Sequence, residues 1–194
     1  MNDLTTAAAE WIAGDPDPVT RAELQGIVDS GDVEELTERM GATLQFGTAG
    51  LRGRVEAGSN RMNRATVSRA TRGLADYLLG TTGTEQGPVV GGRDARLSSA
   101  TFMDDTIAVL VAAGFKVRYF ADPAPTPLVA YAALHLGGVA AVVVTASHNP
   151  PADNGYKVYA QNGAQIIPPT DSDIAAAIAA VGPASDVPRA EIVG

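Results

Sequence analysis

Residues 139–157, V-A-A-V-V-V-T-A-S-H-N-P-P-A-D-N-G-Y-K, decide how this 194-residue chain is read. The stretch opens with six apolar residues, Val139 to Val144, the pattern of a strand buried on both faces. A polar segment follows, Thr145-Ala146-Ser147-His148-Asn149-Pro150. In an open α/β sheet, loops leaving the carboxyl ends of buried strands are where ligands bind. Ser147 therefore sits at the mouth of a site. Asn154-Gly155 reads as a tight turn, and 156–160 as a return strand whose Lys157 can point back over the loop. A hydroxyl, an imidazole and an ammonium thus fall within residues 147–157.

On an extended backbone, neighbouring side chains point to opposite sides. Ser147 and His148 are therefore not expected to form the nucleophile–base pair of a hydrolase. The G-x-S-x-G elbow is also missing. A phosphoryl acceptor suits the group better. A phosphoserine carries about −1.5 to −2 charges at neutral pH and needs cations nearby, which Lys157 and a metal ion would supply. On spacing alone, a plain loop or cap serine is an equally open reading.

Working upstream, 116–120 and 88–92 read as two further short strands. Between the strands lie helical patterns at 64–79, capped by Asn63, at 99–113, capped by Ser98, and at 127–136, begun by Pro127. This β-α-β-α-β order predicts a three-layer α/β/α domain with a mixed, mostly parallel sheet. Arg93-Asp94 and Thr126-Pro127 follow strand ends and so share the rim with Ser147. Residues 44–46 read as a short strand entering a glycine-rich turn, Gly47 to Gly53, with Arg52 as a fixed-charge fork suited to phosphate. Downstream, 165–167 reads as a last strand, and Thr170 begins a final helix through about residue 181.

Residues 1–42 read as a helical extension, with Trp11 as a packing anchor and starts at Thr20-x-x-Glu23 and Asp32-x-x-Glu35. Residues 43–182 form the domain proper, and 183–194 a linker. An apolar content of 45% supports a real core. Net charge is −8, with 12 Arg and only Lys116 and Lys157 as lysines, which argues against nucleic-acid binding. The chain has no Cys and two His, so neither disulfides nor a zinc site are expected. No signal-peptide pattern and no membrane-length apolar run is present, so a cytoplasmic protein away from membranes is expected.

The motifs also carry a resemblance. T-A-S-H-N-P followed by N-G-Y-K resembles the phosphoserine loop of the α-D-phosphohexomutases, the phosphoglucomutase/phosphomannomutase family. Phe46-Gly47-Thr48-Ala49-Gly50-Leu51-Arg52-Gly53 resembles that family's opening segment, and the G-R-D and P-T-P strings fall where the family has them. The match covers roughly residues 43–182, the first of the family's four domains. The family's metal loop, D-G-D-x-D-R, does not occur in this chain. The resemblance therefore implies an N-terminal domain whose partners are domains II–IV, expected to be inactive by itself.

Its implied reaction moves a phosphoryl group between the 1- and 6-positions of a hexose phosphate, through a phosphoserine and a bisphosphosugar. A phosphopentomutase and a non-catalytic phosphate-binding module are the alternatives. In this reading Ser147 carries the phosphoryl group and gives one of its oxygens to Mg²⁺. Arg52 and Lys157 stabilise the transferring charge or manage the hydroxyl proton. His148 supports the loop or assists proton transfer. Thr48 and Asn149 contact phosphate, while Arg93, Asp94 and Thr145 brace the loop. A glucose 1,6-bisphosphate-type activator is the implied cofactor besides Mg²⁺.

Overall fold

The computed structural model describes residues 3–84 and 86–192. Three helices come first: α1 (Asp3–Gly14), α2 (Pro18–Ser30) and α3 (Val33–Met40). Then follow β1 (Leu51–Arg54), α4 (Arg64–Thr81), β2 (Val89–Arg93), α5 (Ser99–Ala112), β3 (Val117–Tyr119), α6 (Thr126–His135), β4 (Ala140–Val144), β5 (Asp153–Ala160) and α7 (Thr170–Ala180). A single 3₁₀ turn, Ala184–Asp186, comes last.

The strands form one sheet in the order β1-β5-β4-β2-β3. β4, β2 and β3 are parallel, while β5 runs antiparallel to both β4 and β1. Four of the five strands therefore share one direction, and the sheet is mixed and mostly parallel. Alternate residues of each strand face opposite layers. Val142, Val144, Tyr156 and Val158 pack with Leu74, Phe102, Leu110 and Ile174 of α4, α5 and α7. Val90, Ala141 and Val143 pack with Val129 and Ala133 of α6 on the other side. This is the expected α/β/α sandwich. Helices α1–α3 close a smaller cluster of their own around Ala8, Leu24, Leu36 and Met40, which Ala57 joins from the domain.

Several local readings change. Asn154 and Gly155 make no turn: they lie inside β5, with Asn154 opposite Gly53 and Gly155 opposite Arg52. The turn sits earlier, at Pro151-Ala152. Gly155 is required by crowding, since a Cβ there would come 2.6 Å from the Thr145 carbonyl and 2.7 Å from that of Leu51. The strand expected at 44–46 is absent. The chain first turns through Gly47–Gly50, where the two glycines exchange backbone hydrogen bonds, and β1 begins only at Leu51. Gly50 holds φ 75°, and any Cβ there would overlap the Tyr156 carbonyl.

The strand at 165–167 shrinks to one bridge between Tyr159 and Gln165, because Pro168 and Pro169 have no N–H to extend a ladder. Ser98 does not cap α5; its hydroxyl accepts instead from Asn154 Nδ2 at 2.7 Å. Asp17 caps α2 with Pro18 in its first turn, and Thr20, inside the helix, donates to Asp15. Asp32 and Asn63 cap their helices as expected.

The segment after α7 packs against the domain. Ala184 and Val187 are buried, and Arg189 forms an ion pair with Asp105 of α5. The Ala190 N–H donates to the Ala108 carbonyl at 3.0 Å.

Candidate functional site

β4 ends at Val144, and its chain leaves the sheet through buried Thr145 and Ala146. Ser147 then takes φ 58°, the one non-glycine residue with positive φ among the described residues. Such a left-handed serine is strained, and strain of this kind concentrates at functional sites. It also overturns the expectation that Ser147 and His148 point apart. The backbone is not extended here, and Ser147 Oγ lies 3.2 Å from His148 Nδ1. The Ser147 N–H donates to Thr145 Oγ1 at 3.0 Å, which ties the turn back to the strand end. Asn149 Nδ2 donates to Asp153 at 2.8 Å, closing the loop onto β5.

The loop is held chiefly by Arg96, to which the sequence reading assigned no role. Its Nη1 donates to the carbonyls of Pro150 (2.6 Å) and Asp153 (2.8 Å). Its Nη2 donates to those of Ser147 (3.2 Å) and Asn149 (2.8 Å). Nε donates to the Asp94 carboxylate at 3.1 Å. An arginine has five N–H donors, and here all five are used. Asp94 in turn accepts from Ser99 Oγ at 2.6 Å and from the Arg96 N–H at 3.0 Å. Burial pushes the Asp94 carboxyl up. The Ser99 and Thr145 hydroxyls, the Arg96 N–H and the Arg96 charge outweigh this and hold it below the usual carboxylate range. Arg93, expected to brace the loop, spends its hydrogen bonds on the carbonyls of Asp94 and Ala121. The signal for Arg96 was its spacing, two residues past an aspartate at a strand end.

Arg52 and Lys157 come together differently. Arg52 stands opposite Gly155 in the β1–β5 pair, so Arg52 and Lys157 share one face of the sheet. Lys157 lies mid-strand, not at the strand's opening, and is 8% exposed. Neither residue forms an ion pair with a carboxylate among the described residues. Arg52 Nε is buried with no partner. Burial, then the Arg52 charge, holds the Lys157 ammonium below its ordinary range. Thr48 stays exposed on its turn, with its carbonyl accepting from Gln165. Beside Ser147 opens a cavity of ≈ 440 Å³ lined by Asp94, Arg96, Leu97, Asn149 and Pro151. The strand end thus offers a strained hydroxyl beside an imidazole, and the same sheet carries on one face two cations that form no ion pair among the described residues. That arrangement suits an oxyanion.

Mg²⁺ would need further ligands. Among the described residues no group of three or more His, Asp or Glu side chains is placed to hold a metal ion. These residues do not by themselves make a magnesium site. Among the described residues, no helix is long and apolar enough to cross a membrane.

Comparison with known proteins adds a second line. The family model described as phosphoglucomutase/phosphomannomutase, alpha/beta/alpha domain I, matches residues 43–184. The chain is 46% identical over 171 residues to a probable phosphoribomutase of Schizosaccharomyces pombe, covering 87% of this chain and 29% of that protein. It is 41% identical over 182 residues to the phosphopentomutase of Mus musculus, covering 90% and 29%. Among solved structures, a putative phosphomannomutase from Thermus thermophilus superposes with a TM-score of 0.64 at 32% identity, over 71% of this chain and 30% of that one. The chain therefore spans less than a third of the length of these proteins. With its fold, its loop and this match over most of its length, the chain belongs to the phosphoglucomutase/phosphomannomutase family and contains that family's domain I.

Proposed function

We propose that this chain is the phosphoryl-carrying domain of a phosphosugar mutase. The observation that carries this is Ser147: a left-handed serine at a strand end, its loop clamped by Arg96 and its hydroxyl beside His148. Ser147 Oγ attacks one phosphorus of a sugar bisphosphate. The Oγ–P bond forms, the bond from that phosphorus to the sugar oxygen breaks, and the Oγ proton passes through His148 to that oxygen, leaving a sugar monophosphate. The reverse step delivers the phosphoryl group to the free hydroxyl of a sugar monophosphate, so that a bisphosphosugar links the two isomers. Arg52 and Lys157 meet the charge of the phosphoryl oxygens, a contribution that dominates phosphoryl transfer. Asn149 and Thr48 complete the polar rim, and Asp94 and Thr145 hold it.

The names of the two relatives favour a pentose phosphate over a hexose phosphate as the substrate. We assign the chain the carrying of phosphate, not recognition of the sugar, and expect no steady turnover from it alone. A magnesium ion and a sugar-bisphosphate activator belong to the reaction of the longer enzyme, which we place in the cytoplasm. The test is incubation with ribose 1,5-bisphosphate or glucose 1,6-bisphosphate, followed by peptide mass spectrometry. One phosphate on the peptide bearing Ser147, formed faster from the pentose compound, is expected. Phosphate on another serine, or unchanged uptake in Ser147→Ala, overturns the assignment.

A further inference from the structure

A cleft of ≈ 420 Å³ lies where α1, the first turns of α4 and the segment after α7 meet, walled by Ala7, Glu10, Trp11, Ala65, Arg69 and Pro183. A narrower lobe of ≈ 100 Å³ continues it and shares Trp11, Thr43, Ser59 and Arg69 with it. No residue of either wall belongs to the phosphoryl site described above.

Two donors in this cleft have no acceptor. The indole Nε1–H of Trp11 and the Nε–H of Arg69 are both buried without a hydrogen-bond partner. The Arg69 guanidinium lies 5.8 Å from the centre of the Trp11 ring, and its Nη2 donates to the Val181 carbonyl at 3.0 Å. Among the described residues no carboxylate forms an ion pair with Arg69. Burial alone holds its pKa below the ordinary arginine value. Buried polar groups nearly always find partners, and an orphaned one needs a reason.

The size and character of the cleft supply that reason. A concave, mostly apolar space of a few hundred Å³ with a few polar groups is the anatomy of a small-molecule site. The two donors call for an oxygen acceptor, and the guanidinium favours a negative one. Glu10, an exposed carboxylate on the same wall, opposes a second negative charge. We propose that this cleft binds a small monocarboxylate with an apolar body. Its carboxylate accepts from Arg69 Nε–H and the Trp11 indole N–H, and its body lies against Ala7, Ala65 and Pro183. The ligand bridges the N-terminal helices and the C-terminal segment.

Trp11 is the chain's one tryptophan, so a single indole N–H resonance and all the tryptophan fluorescence report this cleft. The probes are cyclohexanecarboxylate, its neutral amide and inorganic phosphate, each titrated into the 194-residue chain. Cyclohexanecarboxylate is expected to shift the indole resonance saturably. The amide and phosphate should bind at least about tenfold more weakly. Arg69→Gln should weaken the carboxylate about tenfold or more, and Trp11→Phe, followed by calorimetry, at least about threefold. The absence of a saturable shift overturns the proposal, as does an amide or phosphate that binds as well as the acid. Unchanged affinity in Arg69→Gln overturns it too. If Arg69→Gln does not fold, Trp11→Phe decides alone, and unchanged affinity in that variant overturns it.

Discussion

Two pairs of cations in this molecule are treated in opposite ways. Arg64 and Arg189 converge on Asp105, a carboxylate with no solvent exposure, and Arg64 grips it with two bonds of 2.8 Å. Arg52 and Lys157 share a sheet face with no carboxylate between them. The first pair is complete and serves the fold: it ties α4, α5 and the C-terminal segment together. The second is incomplete, so its free energy depends on what arrives from solution. The contrast separates side chains that hold the domain from side chains that, in the function proposed above, meet an anion. Arg96 stands between them, fully bonded yet bonded to the loop that carries Ser147.

The contrast breaks most visibly at Asp105. Asp105→Ala leaves two arginines without their carboxylate and should cost about 3 kcal/mol, the lower end for removing one partner of a buried pair, since both arginines are partly exposed. Urea denaturation measures this. A loss under ~1 kcal/mol would put the pair on a par with surface ion pairs.

Arg96→Gln comes next. It strips a charge from four carbonyls and one carboxylate, and should cost about 2 kcal/mol. Uptake of phosphate from a sugar bisphosphate should fall at least tenfold. Normal uptake would make the clamp a matter of stability only.

Ser147→Gly moves the other way. It relieves a left-handed residue and should gain about 0.5 kcal/mol, after the greater freedom of the unfolded glycine is counted. It should take up no phosphate at residue 147. A destabilised variant would show that the serine side chain supports the turn more than its φ strains it.

Lys157→Met should change stability least and binding most. Lys157 has a folded-state pKa below its unfolded value, so the cost of its charge is fully present below the folded pKa. That cost fades as pH rises toward the unfolded value of ~10.4. At pH 7 the variant should be as stable as the parent or slightly more so, within ~0.5 kcal/mol. The parent should gain on the variant as pH climbs through the alkaline range. Affinity for inorganic phosphate should drop about tenfold. A clear loss of stability at pH 7 would place Lys157 with Asp105 instead.

The parallel half of the sheet was readable in the sequence because its signals are local. Six apolar residues before Thr145, the Asn63 cap and Gly114 after α5 each declare an element without reference to anything distant. The antiparallel half was readable only in part: 156–160 reads as a return strand and lies within β5, but where that strand starts was misplaced. Asn154-Gly155 has the composition of a turn, yet the glycine is there because two neighbouring strands crowd it. That reason exists only once β1 and β4 lie on either side. The same holds for the site. Ser147 and its loop were legible as a strand-end segment. The meeting of Ser147 with His148 was not, since it depends on a φ of 58° that no residue type at 147 announces. For Arg96 the spacing from Asp94 points only to the carboxylate contact, because its other partners are backbone carbonyls 51 to 57 residues away, and carbonyls leave no mark on a sequence.

The Arg96 clamp also bears on motion. A loop tied by one side chain at Ser147, Asn149, Pro150 and Asp153 has no hinge of its own. It cannot fray from one end, because releasing any carbonyl leaves the guanidinium anchored by the others and by Asp94. Opening is therefore a cooperative event that takes the whole segment at once, of the kind that hydrogen exchange detects as a block. The amides of Thr145, Asn149 and Asp153, bonded to the carbonyls of Gly155, Ala146 and Pro150, should exchange at one common rate. Between those rare openings the oxygen of Ser147 keeps a fixed address, with its rapid movement confined to rotation about its own side-chain bond.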